Sequence, residues 1–305
     1  METIPVVINA GAGQGNGREL TDKLVAAFAR HGLDAQVTVA EDGAKIAEGV
    51  RAALAQGART IVGGGGDGTL NQVASALIEH GGDIAFGILP LGTLNHFAKD
   101  LGIPLELDDA VAVIARGEGR VVDTAEVNGK LFLNNSSIGL YPDIVHERER
   151  QQARLGRGKW PAFVWACLTA LHRFPFHTVT LRVEGQEHVR QTAFVFVGNN
   201  DYCMQGVDIG ERACLDAGQL CVYVSRHAHR WGLFVFALAA LFGQLRRVRG
   251  LDHLLTDQLR IETHTPKVRV ATDGEVGDLD APLEYRSRPR SLRVLVPPPG
   301  AEEAP

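Results

Sequence analysis

Apolar and polar positions in the first third of the chain follow two alternating patterns. Continuous apolar runs of strand length, such as IPVVINA, alternate with stretches whose apolar residues are three to four positions apart, such as Leu20, Leu24 and Phe28. These patterns predict strands at 4–10, 35–40, 58–66 and 83–90 and helices at 20–30, 46–56, 69–79 and 94–101. Continuous apolar strands separated by helices are typical of a parallel sheet covered on both faces. We therefore predict a doubly wound α/β domain.

The pattern changes near Val121, after which short strands dominate. Many of them alternate apolar and polar residues, which indicates strands with one buried and one wetted face. The predicted strands lie at 120–127, 130–138, 177–185, 190–199, 220–225, 258–264, 267–275 and 291–297, with helices at Ala162–Arg173 and Trp231–Arg246. We predict a first domain at 1–122 and a mostly antiparallel, β-sandwich-like domain at 123–305, with the last strand packing back on the first domain.

Composition narrows the class of protein. The chain has 305 residues, 45% of them hydrophobic, which allows a sizeable core. A net charge of −5 argues against nucleic acid as a partner, because proteins that bind nucleic acids usually carry a basic face. The four cysteines form no C-x-x-C pair and are expected to be reduced, as in a cytosolic protein. The opening METIPVVINA lacks a basic segment and is predicted to be a strand rather than a signal peptide.

Four consecutive glycines, Gly63–Gly66, follow the third strand and precede Asp67. Glycine allows a ligand to approach the backbone closely and permits positive φ angles. The following helix directs its first N–H groups toward the same place, which favours phosphate. Because a bare carboxylate would repel phosphate, we expect Asp67 to hold a magnesium ion bound to a nucleotide, directly or through water. The alternative is that Asp67 only caps the helix that follows.

Two other loops follow strands of the first domain. The segment NAGAGQGNGREL does not match G-x-G-x-x-G, and the chain contains no G-x-x-x-x-G-K-[ST] motif. It is either a flexible turn or a second phosphate contact through backbone N–H groups. Thr93 and Asn95 follow the fourth strand, at the carboxyl end of the predicted sheet, where open α/β sheets bind ligands.

Four segments together resemble lipid kinases of the diacylglycerol kinase and sphingosine kinase type. They are GGGGDGTLNQV, LPLGTLNHFAKDLGIP, VVDTAEVNGKLFLNNSSIGL and VATDGEV, in the family's order over nearly the whole chain. The first segment alone is less specific, since NAD kinases share it. The resemblance implies a nucleotide-binding α/β domain and a β-sandwich-like domain, with ATP in the cleft between them.

The resemblance also implies roles for individual residues. Asp273 would be the general base, with Glu275 beside it in the magnesium and proton network, although Asp273-Gly274 alone indicates an ordinary hairpin turn. Asp123 would belong to a polar cluster at the domain junction. Asp216 would bind a structural magnesium, but Ala217 stands where a second acid is expected. The implied site for ATP and Mg²⁺ comprises Asn9, Gly65, Gly66, Asp67, Gly68, Thr69, Thr93 and Asn95.

The implied activity is ATP- and Mg²⁺-dependent transfer of the γ-phosphate to a hydroxyl of a diacylglycerol-like lipid. Two alternatives stay open: an NAD-kinase-like phosphotransferase with a soluble acceptor, and a non-catalytic protein that binds lipid or nucleotide. His96, where the family usually has Asp, and Ala217 favour the non-catalytic alternative, and Gln72, in place of Glu, is a further departure from the family pattern. The presence of Asp67, Asp273 and Glu275 favours activity.

The segment Trp231–Leu241 is apolar nearly all round and is followed by Arg246, Arg247 and Arg249. It is shorter than the roughly 20 residues of a spanning helix. An apolar body with a cationic end suits a helix lying in the membrane interface, and the alternative is a core helix. We therefore expect a cytoplasmic protein that associates peripherally with the membrane containing its lipid substrate. A homodimer is one open alternative for its oligomeric state.

Overall fold

The computed structural model describes residues 3–11, 17–139, 177–183, 185–192, 194–205, 208–212, 214–225 and 251–298. The chain divides into two compact units, Met1–Val122 with Arg290–Pro305, and Asp123–Pro289. The predicted helices Ala162–Arg173 and Trp231–Arg246, with the expected interfacial segment Trp231–Leu241, lie outside the described residues. Membrane association therefore stays a prediction. None of the helices in the described part of the chain is long and apolar enough to cross a membrane.

The first unit is built on a parallel sheet. Its strands are β1 (Thr3–Asn9), β2 (Asp34–Ala40), β3 (Thr60–Gly65) and β4 (Ala85–Pro90), and its helices are α1 (Gly17–Arg30), α2 (Gly43–Ala55), α3 (Asp67–His80), α4 (His96–Asp100) and α5 (Leu107–Arg116). The strand order is β2-β1-β3-β4, and β4 is buried along its whole length. Helix α1 packs on α5, and α2 packs on α3. The predicted α/β class is confirmed.

Helix α5 was missed by the sequence analysis. Asp108 and Asp109 lie in its first turn, and the helix ends at Gly117, whose φ angle is 72°. Ala110, Val111, Val113 and Ile114 form its buried face. An acidic first turn, apolar residues at i, i+3 and i+4 and a C-terminal glycine are helix signals, so the sequence did carry the evidence for α5.

The second unit is almost entirely β-structure in the described residues. Its strands are β5 (Gly119–Val127, which begins in the first unit), β6 (Lys130–Phe132), β7 (Asn135–Gly139), β8 (His177–Val183), β9 (Gln186–Thr192), β10 (Phe194–Asn199), β11 (Tyr202–Gln205), β12 (Asp208–Arg212), β13 (Leu220–Ser225), β14 (Leu251–Thr256), β15 (Gln258–Thr263), β16 (Lys267–Thr272), β17 (Glu275–Asp280) and β18 (Leu283–Leu295). The final residues of β18 belong to the first unit, where Arg293 and Val294 pair in parallel with β4.

Two antiparallel sheets share the core of the second unit. One has the order β14-β13-β10-β7-β16-β17, and the other contains β18-β15-β8-β9. Ile138 and Val195 from the first sheet and Val179 and Ile261 from the second belong to one buried cluster. The predicted antiparallel, sandwich-like second domain is confirmed.

Cys214 and Cys221 are free thiols, and Cys221 is fully buried on β13. Burial raises the pKa of the Cys221 thiol to about 12, so this residue is not a thiolate near neutral pH.

Candidate functional site

The predicted nucleotide residues of the first unit meet at the carboxyl end of its sheet. Strand β1 pairs with β3 through Ile8 and Gly64, and Gly65 pairs with Pro90 of β4, so the ends of three strands are adjacent. Asn9, the last residue of β1, donates from Nδ2 to Thr69 Oγ1 at 3.4 Å and accepts from the Gly11 N–H at 2.8 Å. The start of α3 is thereby connected to the end of β1.

The four consecutive glycines have two different structural roles. A methyl group on Gly64 would lie 2.7 Å from Ile8 Cγ2, and one on Gly63 would lie 2.9 Å from the Phe86 ring. These two glycines are therefore required by packing within the sheet. Positive φ angles, which glycine permits, are absent from the run, and Gly66 has φ −85°. Close approach, rather than left-handed geometry, explains the glycines.

Gly65 and Gly66 lie where the loop meets its neighbours. A methyl group on Gly65 would lie 2.5 Å from Thr69 Cβ. The Thr69 side chain can therefore contact the loop at this point only because residue 65 is a glycine. A methyl group on Gly92 would lie 2.3 Å from Gly66 Cα, whereas one on Gly66 would lie 3.5 Å from Gly92 Cα. Gly92 is thus needed for contact between the loops after β3 and β4. The sequence analysis did not assign this residue.

Asp67 joins two helices. It is the first residue of α3, and its carboxylate accepts the backbone N–H of His96 at 3.2 Å and of Phe97 at 3.0 Å. The carboxylate therefore satisfies the N-terminus of the short helix α4, a role that neither alternative from the sequence included. A carboxylate has about four lone-pair positions, so the same oxygens can also coordinate a cation. Magnesium binding at Asp67 stays a prediction.

The side chain of Asn95 is engaged with its own loop. Asn95 has a left-handed backbone, with φ 51°, and is buried. Its Oδ1 accepts the Gly92 N–H at 3.0 Å, and its Nδ2 donates to the carbonyls of Pro90 at 3.1 Å and Gly92 at 2.9 Å. Asn95 therefore shapes the loop after β4, while the neighbouring Thr93 is exposed. The sequence analysis expected both side chains to reach the ligand crevice.

The N-terminus of α3 is the part of this arrangement suited to phosphate. Its first intrahelical bond runs from the Leu70 N–H to the Gly66 carbonyl at 3.1 Å. The preceding N–H groups, of Asp67, Gly68 and Thr69, have no helical acceptor four residues earlier, and the helix dipole favours an anion there. An oxyanion with a divalent cation beside Asp67 fits the charges of this end of the helix.

Asp273 occupies a tight turn in the second unit. It has φ 48° and forms, with Gly274 at φ 86°, the two-residue connection between β16 and β17. Its Oδ2 accepts the Leu133 N–H at 2.7 Å, and its Oδ1 accepts the N–H groups of Asn134 at 2.8 Å and Asn135 at 3.1 Å. The hairpin-turn interpretation is therefore correct, and the docked carboxylate is an additional feature. The general-base role of Asp273 stays a prediction.

The other predicted acids of the second unit differ strongly in exposure. Glu275 is exposed at the start of β17, and Asp216 is exposed in the loop before β13. Asp123 is buried, and its Oδ2 accepts from Asn200 Nδ2 at 3.1 Å and from the Gly218 N–H at 2.6 Å. The loop containing Asp216 is thus held by hydrogen bonds. No group of three His, Cys, Asp or Glu side chains suited to a metal occurs within the described residues, and metal binding at Asp216 stays a prediction.

A cavity of 250 Å³ lies between the two sheets of the second unit. Ile138, Val195 and Val268 line it from one sheet and Val179 from the other, with Lys267 and Arg269 also in its wall. Its volume is close to the lower end, about 300 Å³, of sites that bind small molecules. Thr192, Thr263 and Thr265 add hydroxyl groups to the wall, and Arg269 is paired with Asp278 at 3.8 Å, so the cavity has both apolar and polar surface.

Family models match both parts of the chain. Residues 3–127 match the diacylglycerol kinase catalytic domain, and residues 142–296 match the YegS C-terminal NAD kinase beta sandwich-like domain. Two solved structures from Bacillus anthracis share the fold: a diacylglycerol kinase, with a TM-score of 0.72 at 21% identity, and a putative diacylglycerol kinase, with 0.75 at 24%. In both cases 97% of each chain is covered.

Curated relatives agree with the family models. A probable lipid kinase YegS-like protein of Pseudomonas aeruginosa is 44% identical over 295 residues, which cover 93% of this chain and 92% of the relative. A probable lipid kinase YegS-like protein of Klebsiella pneumoniae is 36% identical over 158 residues, which are 51% of this chain and about half, 53%, of the relative. The chain therefore belongs to the YegS-like family of lipid kinases, with a catalytic domain of the diacylglycerol kinase type.

Proposed function

We propose that this protein transfers the γ-phosphate of ATP, with Mg²⁺, to a hydroxyl of a diacylglycerol-like lipid. The observation that carries the proposal is the loop at Gly65–Thr69, where the N-terminus of α3 and the Asp67 carboxylate are adjacent. Phosphoryl transfer depends mainly on positioning and on neutralising charge, and a helix N-terminus beside a carboxylate-bound cation supplies both.

Residues of both units have separate roles in the proposed phosphoryl transfer. The N–H groups at the start of α3 hold phosphate oxygens, and Asp67 holds the cation and keeps α4 in place through the His96 and Phe97 N–H groups. Bound Mg²⁺ supplies charge neutralisation on the phosphates. Asp273 accepts the proton of the attacking hydroxyl.

The cavity between the sheets of the second unit lies at the Lys267 end of β16, away from Asp273, so it suits an acyl chain of the acceptor rather than the reacting hydroxyl. Its apolar walls favour a hydrocarbon chain, since burial of apolar surface releases about 25 cal/mol per Å².

The decisive assay incubates the protein with Mg²⁺ and γ-labelled ATP and offers three acceptors separately. These are dioleoylglycerol in phosphatidylcholine vesicles, a total bacterial lipid extract, and NAD. Label in a lipid supports the proposal, and the extract identifies the acceptor. Label only in NADP would establish the NAD-kinase-like alternative, and no label in any tube would establish the non-catalytic one.

Two glycine variants test whether the loop holds phosphate. Gly66→Ala adds a methyl group at an ordinary contact distance of 3.5 Å, so we expect an unchanged Tm and an affinity for Mg-ATP about tenfold lower, which corresponds to about 1.4 kcal/mol. Gly92→Ala is the matched control, because its methyl group would lie 2.3 Å from Gly66 Cα and should lower stability by about 1–3 kcal/mol. Full Mg-ATP affinity in Gly66→Ala would show that phosphate binds elsewhere.

A further inference from the structure

Arg212 lies behind the backbone segment that holds Asp273. Arg212 is only 7% exposed, and its Cζ lies 5.6 Å from the centre of the Tyr202 ring. Its Nη1 donates to the Leu133 carbonyl at 2.7 Å and its Nη2 donates to Asn134 Oδ1 at 2.9 Å. A buried cation thus contacts two of the three residues whose N–H groups bind the Asp273 carboxylate.

One peptide group connects the two charges directly. The Leu133 carbonyl accepts from Arg212, and the N–H of the same peptide group, that of Asn134, donates to Asp273 Oδ1 at 2.8 Å. The peptide dipole therefore lies with its negative end at the cation and its positive end at the carboxylate. Hydrogen bonds in such a chain polarise one another, and in a buried setting each is stronger than in water.

The next peptide group repeats the arrangement with neutral donors. The Asn134 carbonyl accepts the Tyr202 hydroxyl at 2.9 Å and the Asn199 N–H at 2.9 Å, while its N–H, that of Asn135, donates to Asp273 Oδ1 at 3.1 Å. Asn199 Nδ2 also donates to the Leu133 carbonyl at 2.9 Å. The Leu133 and Asn134 carbonyls thus have partners other than Asp273, whereas the Asn135 carbonyl accepts the Asp273 N–H at 2.9 Å.

We infer that Arg212 is a positioning residue for Asp273, acting through the Leu133–Asn135 backbone. It orients the three N–H groups and increases their polarity, so the carboxylate stays in a fixed direction at the hairpin turn. The inference rests on the proposed function, because it assigns Arg212 a part in turnover only if Asp273 is the base. The physical connection between Arg212 and Asp273 can be tested without turnover.

A double-mutant cycle tests the part in turnover. Arg212→Lys keeps the charge, but a single ammonium cannot replace the two-pronged contact with Leu133 and Asn134. We expect kcat to fall about tenfold, within the range of coupling between contacting residues, with the KM for ATP unchanged. In the Asp273→Asn background the same change should lower kcat less than about twofold. Arg190→Met, which removes an arginine paired with Asp252, is the control and should behave alike in both backgrounds.

Equal losses of kcat from Arg212→Lys in both backgrounds would overturn the inference and leave Arg212 a purely structural residue. If Asp273→Asn itself retains full kcat, the general-base proposal fails instead. Arg212→Met, which removes the charge, should give a larger loss with the same dependence on background, and it replaces Arg212→Lys if the lysine variant is not folded.

Amide hydrogen exchange gives a readout that needs no lipid. We expect exchange at Leu133, Asn134 and Asn135 to be faster in Arg212→Lys and in Asp273→Asn, with the double variant no faster than the faster single one. The Asn128 turn, which is held by other contacts, should be unaffected. Additive increases in the double variant would show that the two residues act on the segment independently, and the inference would be wrong even if the kinase assay succeeds.

Discussion

Two hairpins of the second unit have two-residue turns of similar sequence, one Asn-Gly and the other Asp-Gly. The β5–β6 hairpin turns at Asn128 and Gly129, with φ 47° and 79°, and the β16–β17 hairpin turns at Asp273 and Gly274, with φ 48° and 86°. Positive φ at both positions is the geometry of the tight turn that matches strand twist, and it explains the glycines. In both hairpins the first turn residue docks its side chain on distant backbone.

The partners of the two side chains explain why one is an amide and the other a carboxylate. Asn128 donates to the carbonyls of Asp280 and Pro282 and accepts the Glu284 N–H, so it needs both a donor and an acceptor. Asp273 meets three N–H groups, for which a carboxylate is the better match. The charge at position 273 therefore has a structural reason before any catalytic one, and experiments must separate the two.

The largest effect is expected for Asp273→Asn. Loss of a general base lowers turnover by ~10²- to 10⁴-fold. The exchange also turns an NH₂ group toward at least one of the N–H groups, which costs about 1–3 kcal/mol of stability. Steady-state kinetics, nucleotide titration and thermal melting together should show low kcat, a lower Tm and unchanged ATP affinity.

A lower Tm with kcat per folded molecule close to wild type would leave Asp273 a structural residue only. The isosteric change is thus less simple than the sequence suggests, because it alters three hydrogen bonds as well as removing a proton acceptor. Loss of ATP affinity in the same variant would indicate a wider disturbance of the protein.

Asp67→Ala is the counterpart in the first unit. It removes the proposed cation ligand and the acceptor for the His96 and Phe97 N–H groups. The activation barrier for phosphoryl transfer should therefore rise by several kcal/mol, with a corresponding loss of turnover. Magnesium titration of ATP binding should show a weaker dependence on the cation than in the wild type. Near wild-type turnover would mean that Asp67 serves only to hold α4.

An intermediate effect is expected for the glycines of the two turns. Gly129→Ala and Gly274→Ala meet no atoms within 4 Å, so only the positive φ angles oppose the methyl group. Each change should cost about 1–2 kcal/mol of stability, equally in the two hairpins. Chemical unfolding measures this cost. A much larger loss of turnover in Gly274→Ala than in Gly129→Ala would link the β16–β17 turn to function. Equal turnover in the two variants would contradict a functional role for that turn.

The smallest effect is expected for Asn128→Asp. The carboxylate would face the carbonyls of Asp280 and Pro282 in place of the amide donor, at an exposed position. We expect a loss of about 1 kcal/mol, the net value of an ordinary hydrogen bond, with kcat unchanged. A drop in kcat of tenfold or more would contradict the distinction drawn here between the two turns.

Local patterns in the sequence determined the fold class of both units. Apolar periodicity and glycine positions placed the parallel strands and helices of the first unit and most strands of the second, because those signals come from residues close together in the chain. Strands β11, β12, β14 and β17 were not predicted, β9 was predicted only at its last residues, and α5 was missed although its signals were present. Asp67 and the loop after β4 lie near one another as expected, because parallel strands end at the same edge of the sheet. Asn9, which only the family resemblance indicated, lies beside Thr69.

The partners of those residues were decided only by the tertiary structure. Asp67 binds N–H groups about thirty positions away, and Asp273 binds a segment about 140 positions away. Gly63 and Gly64 are required by Ile8 and Phe86, which no local pattern connects to them. No sequence motif indicated Arg212, and its contact with Leu133 depends on strands that only folding brings together. Local sequence specifies backbone preference and polarity, whereas contacts at such separations exist only after the chain has closed its long loops.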